Sequence, residues 1–270
     1  MGIFDGVLLA SDYDATLRGK TLKVLPRDIQ ALEYFQAQGG KFVLTTGRCW
    51  SAFVQQAREL PLGSPTLLSN GASFCHMDTG EVIFNYDLPH RVREDMALLA
   101  SEFPDVAFEA YHGEEVYCQQ PNEFTAWHMT IVKASYVERP LEEMPLPWVK
   151  VLLEGERPRL EEMRKRVVER WSDHYECIFS NEHLLELTAK DVHKGTGVGR
   201  AAEWFGISPQ HIYCVGDNDN DLPMLTTAKI GFAPAGSAVA ARNLPGIRIV
   251  RDCESGCVEN VIEILTEIYR

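Results

Sequence analysis

The stretch Gly6-Val7-Leu8-Leu9-Ala10-Ser11-Asp12-Tyr13-Asp14-Ala15-Thr16 passes from a short apolar run straight into a polar cluster with two carboxylates. Continuous apolar runs of this length suit strands buried on both faces, as in a parallel sheet. Three more segments repeat the pattern: KFVLTTGR at 41–48, PTLLSNGAS at 65–73 and IYCVGDNDND at 212–221. Between the first two runs, residues 26–40 align Ile29, Leu32 and Phe35 on one helical face, with Pro26 at the start and Gly39-Gly40 at the end. This predicts a crossover helix. The chain closes with Val258, Val261, Ile262, Leu265 and Ile268 at helical spacing, so a core-facing helix is expected there too. The fold class is α/β, with a Rossmann-like parallel sheet.

The middle of the chain reads differently. Helical patterns near 90–103 and 156–171 mix with short strand-like runs such as WVKVLLEG, YECIFS and HLLELTA. Strands of the first kind occur on both sides of it. The middle is therefore an inserted α+β unit at 85–186, splitting one α/β domain into 1–84 and 187–270.

Composition narrows the function. The 270 residues are 45% apolar and 24% charged, which is ordinary globular usage, and the net charge of −13 argues against nucleic-acid partners. An anionic substrate then needs local positive charge. Seven scattered cysteines read as reduced thiols, and Cys253 and Cys257 have no second ligand pair at zinc-site spacing. The N-terminal apolar run is too short for a signal peptide and lacks a basic flank, so a cytoplasmic protein with no membrane partner is expected. Nothing in the sequence sets the oligomeric state.

In open α/β sheets, ligands bind beyond the carboxyl ends of the strands. Here those ends carry Asp12 and Asp14, then Thr45 to Arg48, then Ser69, Asn70 and Gly71, then Asp217 to Asp221. Were Asp12, Asp14, Asp217 and Asp221 to meet, ionised pairs about 4 Å apart would repel by ~4 kcal/mol at an effective dielectric near 20. Such a cluster needs a cation. Oxygen-only ligands with no His or Cys nearby favour Mg²⁺.

The set Asp12-Tyr13-Asp14-Ala15-Thr16, Thr45-Thr46-Gly47-Arg48, Lys194-Gly195 and Gly216-Asp217-Asn218-Asp219-Asn220-Asp221 resembles, in order and placement, the motifs of the haloacid dehalogenase-like phosphatases. The insertion resembles the cap of the Cof-type, class IIB branch. Ala15 departs from the Gly common there, a methyl group that constrains the turn without removing chemistry. The resemblance implies Asp12 as nucleophile, Asp14 as general acid and base, Lys194 beside the phosphate, and Mg²⁺ on Asp12, the Asp14 backbone carbonyl and Asp217. It also implies that Thr46 and Gly47 bind phosphate, with Arg48, Asn70 and Asn220 near the substrate and Asp221 and Asn218 behind the metal site.

Each motif alone has a plainer reading. Asp and Thr cap helices, and an isolated Lys usually sits on the surface. The 217–221 loop could be a solvated turn, but it lacks the Gly and terminal Glu of an EF-hand. His183 and His193 pair with nothing recognisable and read as structural. Tyr111, Tyr117, Trp127 and His128 fit core packing better than a sugar platform. The function expected is hydrolysis of a small phosphorylated metabolite, such as a sugar phosphate, through an aspartyl-phosphate. A phosphomutase shares that intermediate. A non-catalytic phospho-receiver shares the aspartates, Thr and Lys but needs neither Asp14 nor the insertion.

Overall fold

The computed structural model describes residues 2–270. In chain order the elements are β1 Leu8–Asp12, α1 Pro26–Ala37, β2 Lys41–Thr45, α2 Trp50–Ala57, β3 Thr66–Leu68, β4 Ser73–Cys75 and β5 Val82–Asn85. Next come α3 Val92–Glu102, β6 Ala107–His112, β7 Glu115–Gln119, α4 Glu123–Val132, β8 Val137–Glu138, β9 Lys150–Glu154, α5 Arg157–Trp171, β10 Tyr175–Asn181 and β11 Leu184–Ala189. The chain ends with α6 Lys194–Trp204, β12 Ile212–Val215, α7 Leu222–Thr227, β13 Ile230–Pro234, α8 Val239–Arg242, β14 Arg248–Val250 and α9 Cys257–Tyr269.

These strands form two sheets. The first has the order β14-β13-β12-β1-β2-β3-β4-β5, parallel from β14 to β3 and finished by the antiparallel β4 and β5. Its central strand β1 is buried along its whole length, which explains its unbroken apolar run. Alternate residues feed opposite layers: Leu9 joins Leu32, Phe35 and the α9 residues Val261 and Leu265, while Leu8 and Ala10 join Val198, Ala201 and Met224. The crossover and closing helices stand where their patterns place them, as α1 and α9.

The second sheet, order β10-β11-β9-β6-β7-β8, draws all its strands from Ala107–Ala189. Helices α3 and α5 cover one face through Val92, Met96, Leu99, Leu160, Met163 and Val167. The other face carries Glu109, Lys150, Glu154 and Glu186, all buried. Helix α4, which the sequence reading did not anticipate, begins in a capping box on Asn122 and seals that face. Among the described residues no helix is long and apolar enough to cross a membrane.

Candidate active site

The first sheet brings its strand ends together as the motif order requires. Asp12 ends β1, and the Lys194 ammonium at the start of α6 donates to Asp12 Oδ1 and to Asp221 Oδ1, both at 2.6 Å. Lys194 is 1% exposed. Its position depends on Gly195, where a Cβ would lie 2.6 Å from the Pro223 carbonyl oxygen, so only glycine lets α6 approach the 217–223 turn. His193 caps that helix by accepting from the Thr196 amide at 3.2 Å, a structural role. Asp221 Oδ2 accepts from the amides of Asp217 (2.9 Å) and Asn218 (3.1 Å), fixing the turn that presents Asp217. Thr16 in turn donates to Asp217 Oδ1 at 2.9 Å.

Carboxylate oxygens of Asp12, Asp217 and Asp221 lie within 4.8 Å of one another. Burial pushes the Asp12 carboxyl well above its ordinary range; Lys194 opposes the shift, while Asp221 and Asp217 add to it. Burial and Asp221 likewise push Asp217 up to about 7. One ammonium does not neutralise three clustered carboxylates, two of them buried and Asp217 partly so. The donor set is all oxygen and short of positive charge, so it fits a hard divalent cation. Since Asp221 is already committed to Lys194 and two amides, Asp12 and Asp217 are the side chains left to hold it.

Asp14 points elsewhere. Its carboxylate is gripped by Arg48, with Nε at 2.8 Å and Nη2 at 3.1 Å, and by Arg18. Both guanidiniums also lie over the Tyr13 ring, at 5.8 and 5.0 Å. Burial raises the Asp14 carboxyl, but the two arginines outweigh it and hold the group below its ordinary value. Arg18 is a site residue the sequence reading missed; its spacing of four from Asp14 was the available signal.

The β2 end supplies the remaining polar contacts. Thr46 Oγ1 accepts from the Arg48 amide at 3.2 Å, and the Gly47 amide donates to no acceptor among the described residues. Asn70, at φ 55°, accepts from Asn220 Nδ2 at 3.1 Å, so these two expected substrate contacts hold each other. Asn218 Nδ2 donates to the Ser180 carbonyl of the second sheet at 2.9 Å.

Residues 9–241 match the family model of haloacid dehalogenase-like hydrolases. The chain belongs to this family. It is similar to Bacillus subtilis YxeH, with 24% identity over 96% of this chain and 98% of that one. It is also similar to the 5-amino-6-(5-phospho-D-ribitylamino)uracil phosphatase YitU of the same organism, with 22% identity over 92% and 94%. The crystal structure of the subclass IIB sugar phosphatase BT4131 superposes with a TM-score of 0.82 at 21% identity, covering 97% and 98%. The family expected from the motifs therefore stands, and the fold, insertion included, is that of the subclass IIB structure.

In this haloacid dehalogenase-like hydrolase a cavity of about 310 Å³ lies between the two sheets, reaching Asp12, Asp14, Thr46, Arg48, Asp217 and Asn220. The second sheet contributes Lys150, which donates to the Gly47 carbonyl at 2.7 Å, pairs with Glu186 at 2.7 Å and lies 4.4 Å over the Tyr111 ring. Neither Lys150 nor Glu186 was read from the sequence. Of the four aromatic-type residues expected in packing, Tyr117 sits in the second sheet's core, whereas Tyr111, Trp127 and His128 line the cavity. His183 stacks on Phe124 at 4.5 Å.

Proposed function

We infer that the protein is a phosphatase, a phosphoric monoester hydrolase that cleaves a small phosphorylated metabolite, sugar phosphates included, through a phosphorylated Asp12. The observation that carries this is Asp12 at a buried strand end, bonded to Lys194 and facing a cavity that Asp14 also lines. The phosphatase names among relatives aligned over nearly their full length support it. In the first step Asp12 attacks phosphorus, the bond to the leaving oxygen breaks, and that oxygen takes a proton from Asp14. In the second, water gives a proton to Asp14 and attacks the phosphoryl group, freeing Asp12. The ionised, arginine-held Asp14 is ready for the second step; for the first it must gain a proton as Arg48 turns toward the incoming phosphate.

Lys194 offsets charge on the phosphoryl group, and Thr46 and the Gly47 amide hold its oxygens. Asp12, Asp217 and the Asp14 carbonyl would bind Mg²⁺, which when bound neutralises phosphate charge at the carboxylate cluster. Asn218 and Asp221 shape the turn behind it, and Asn70 with Asn220 borders the substrate. Residues 85–186 act as the cap over a core of 1–84 and 187–270, in a cytoplasmic setting.

Asp12→Asn should lower kcat by on the order of 10⁴-fold or more while leaving circular dichroism unchanged. Chelation of the wild type should abolish phosphate release, with Mg²⁺ restoring it. Near-normal turnover in either experiment sinks the reading.

A further inference from the structure

The cavity has two unlike ends. One is the catalytic cluster; the other is a wall made by Val116, Trp127, Met129, Ile131, Val132 and Leu184, from β7, α4 and β11. Val116, Met129, Val132 and Leu184 are buried and form one small apolar cluster with Cys49 and Ala52 of the first sheet's layer. Trp127 lines the cavity, 43% exposed, with its indole edge-on to His183 at 6.3 Å.

Most polar groups that reach this end are already committed. The Lys150 ammonium serves Gly47 and Glu186, the Tyr111 hydroxyl donates to Glu109 at 2.6 Å, and Asn218 Nδ2 serves Ser180. His128 Nδ1 faces Glu154 at 3.0 Å and Glu109 at 3.4 Å. What remains, chiefly the Ser180 hydroxyl, His128 Nε2, Asn181 Nδ2 and the Trp127 N–H, suits a ring with a few polar substituents. A hexose carries a hydroxyl on nearly every carbon. Buried against this wall, most of them would give up water and find no partner.

We propose that the substrate is an amphipathic phosphate ester, whose leaving group places an apolar ring against the α4 wall beyond its phosphate-bearing arm. The proposal rests on the phosphatase reading above and narrows it. A matched set of esters tests it: ethyl phosphate, 2-phenylethyl phosphate and glucose 6-phosphate all release a primary alkoxide, so their demand for acid catalysis is alike and the cavity decides among them. With Mg²⁺ present, kcat/KM for 2-phenylethyl phosphate should exceed that of both others by at least about tenfold. Trp127→Ala and Ile131→Asn should each collapse the phenylethyl-to-ethyl ratio toward one; the first removes a partly exposed side chain and leaves the core filled. Equal values for the phenylethyl and ethyl esters, a preference for glucose 6-phosphate, or variants that lower all three esters alike would overturn the proposal while leaving the phosphatase reading intact. Turnover of none of the three would overturn both.

Discussion

In the core, the buried ionisable groups Asp12, Lys194 and Asp221 stand where elements end: a strand terminus, a helix start and the turn before α7. In the cap, Glu109, Lys150, Glu154 and Glu186 stand on one face of a sheet, their backbones committed to strand ladders. Element ends can shift to admit a ligand, whereas residues on a sheet face keep their register. In the proposed mechanism the core groups then serve the chemistry and the cap groups the shape of the cavity. A buried charge on a sheet face must be paired in advance, as Lys150 is with Glu186 and His128 with Glu109 and Glu154.

Removing the charge from each region's lysine separates the two roles. Lys194→Met should cut kcat by at least about a hundredfold, because it strips the phosphoryl group's cation. Lys150→Met should lower stability by about 3 kcal/mol in denaturant titration, since it leaves Glu186 buried and unpaired, and should reduce kcat far less. Reversed effects would mean that the cap lysine does chemistry.

A smaller effect concerns pH. Burial pulls the His128 imidazole down, but Glu109 and Glu154 outweigh that and raise it from 6.5 to about 9. A group raised on folding contributes stability that is complete below its unfolded value and is lost as pH climbs through the folded one. The cap network should therefore weaken between about pH 6.5 and 9. The thermal midpoint of the wild type should fall more across that window than that of His128→Gln. Parallel curves would show that the imidazole is not charged when folded.

The smallest effect is in the core. Ala15 adopts φ 63°, in the left-handed region where a Cβ is strained. Ala15→Gly should raise stability by roughly 1 kcal/mol, read as a shift in the denaturation midpoint at unchanged slope. A loss would mean that the methyl group packs favourably in the turn.

These contrasts also explain what could be read in advance. β1, β2, β3 and β12 announced themselves because a strand buried on both faces has no polar residue until it ends, so Asp12, Thr46, Asn70 and Asp217 fell at visible boundaries. In the run Trp148 to Gly155, Lys150 and Glu154 look like the solvent side of a half-buried strand. Only the docking of α4 and the core against that face makes them interior, and α4 itself, with Trp, Thr, Ile and Val inside, has weak helical propensity. Arg18 was hidden by the same logic: an arginine four residues past a carboxylate ordinarily marks an exposed pair, yet here it is 5% exposed.

Gly47 offers its carbonyl to Lys150, and a Cβ on it would come within 3.1 Å of Glu186 Oε1. A residue of the core loop is thereby fitted to two residues of the insertion more than a hundred positions away in sequence. If a different insertion were placed on this core, position 47 would be the point of compatibility. A transplanted insertion lacking the Lys150–Glu186 pair would find an orphan carbonyl at the seam, and a core bearing a side chain at 47 would press on the Glu186 carboxylate, which would have to give by a few tenths of an ångström. The trio should be inherited, or engineered, as one unit.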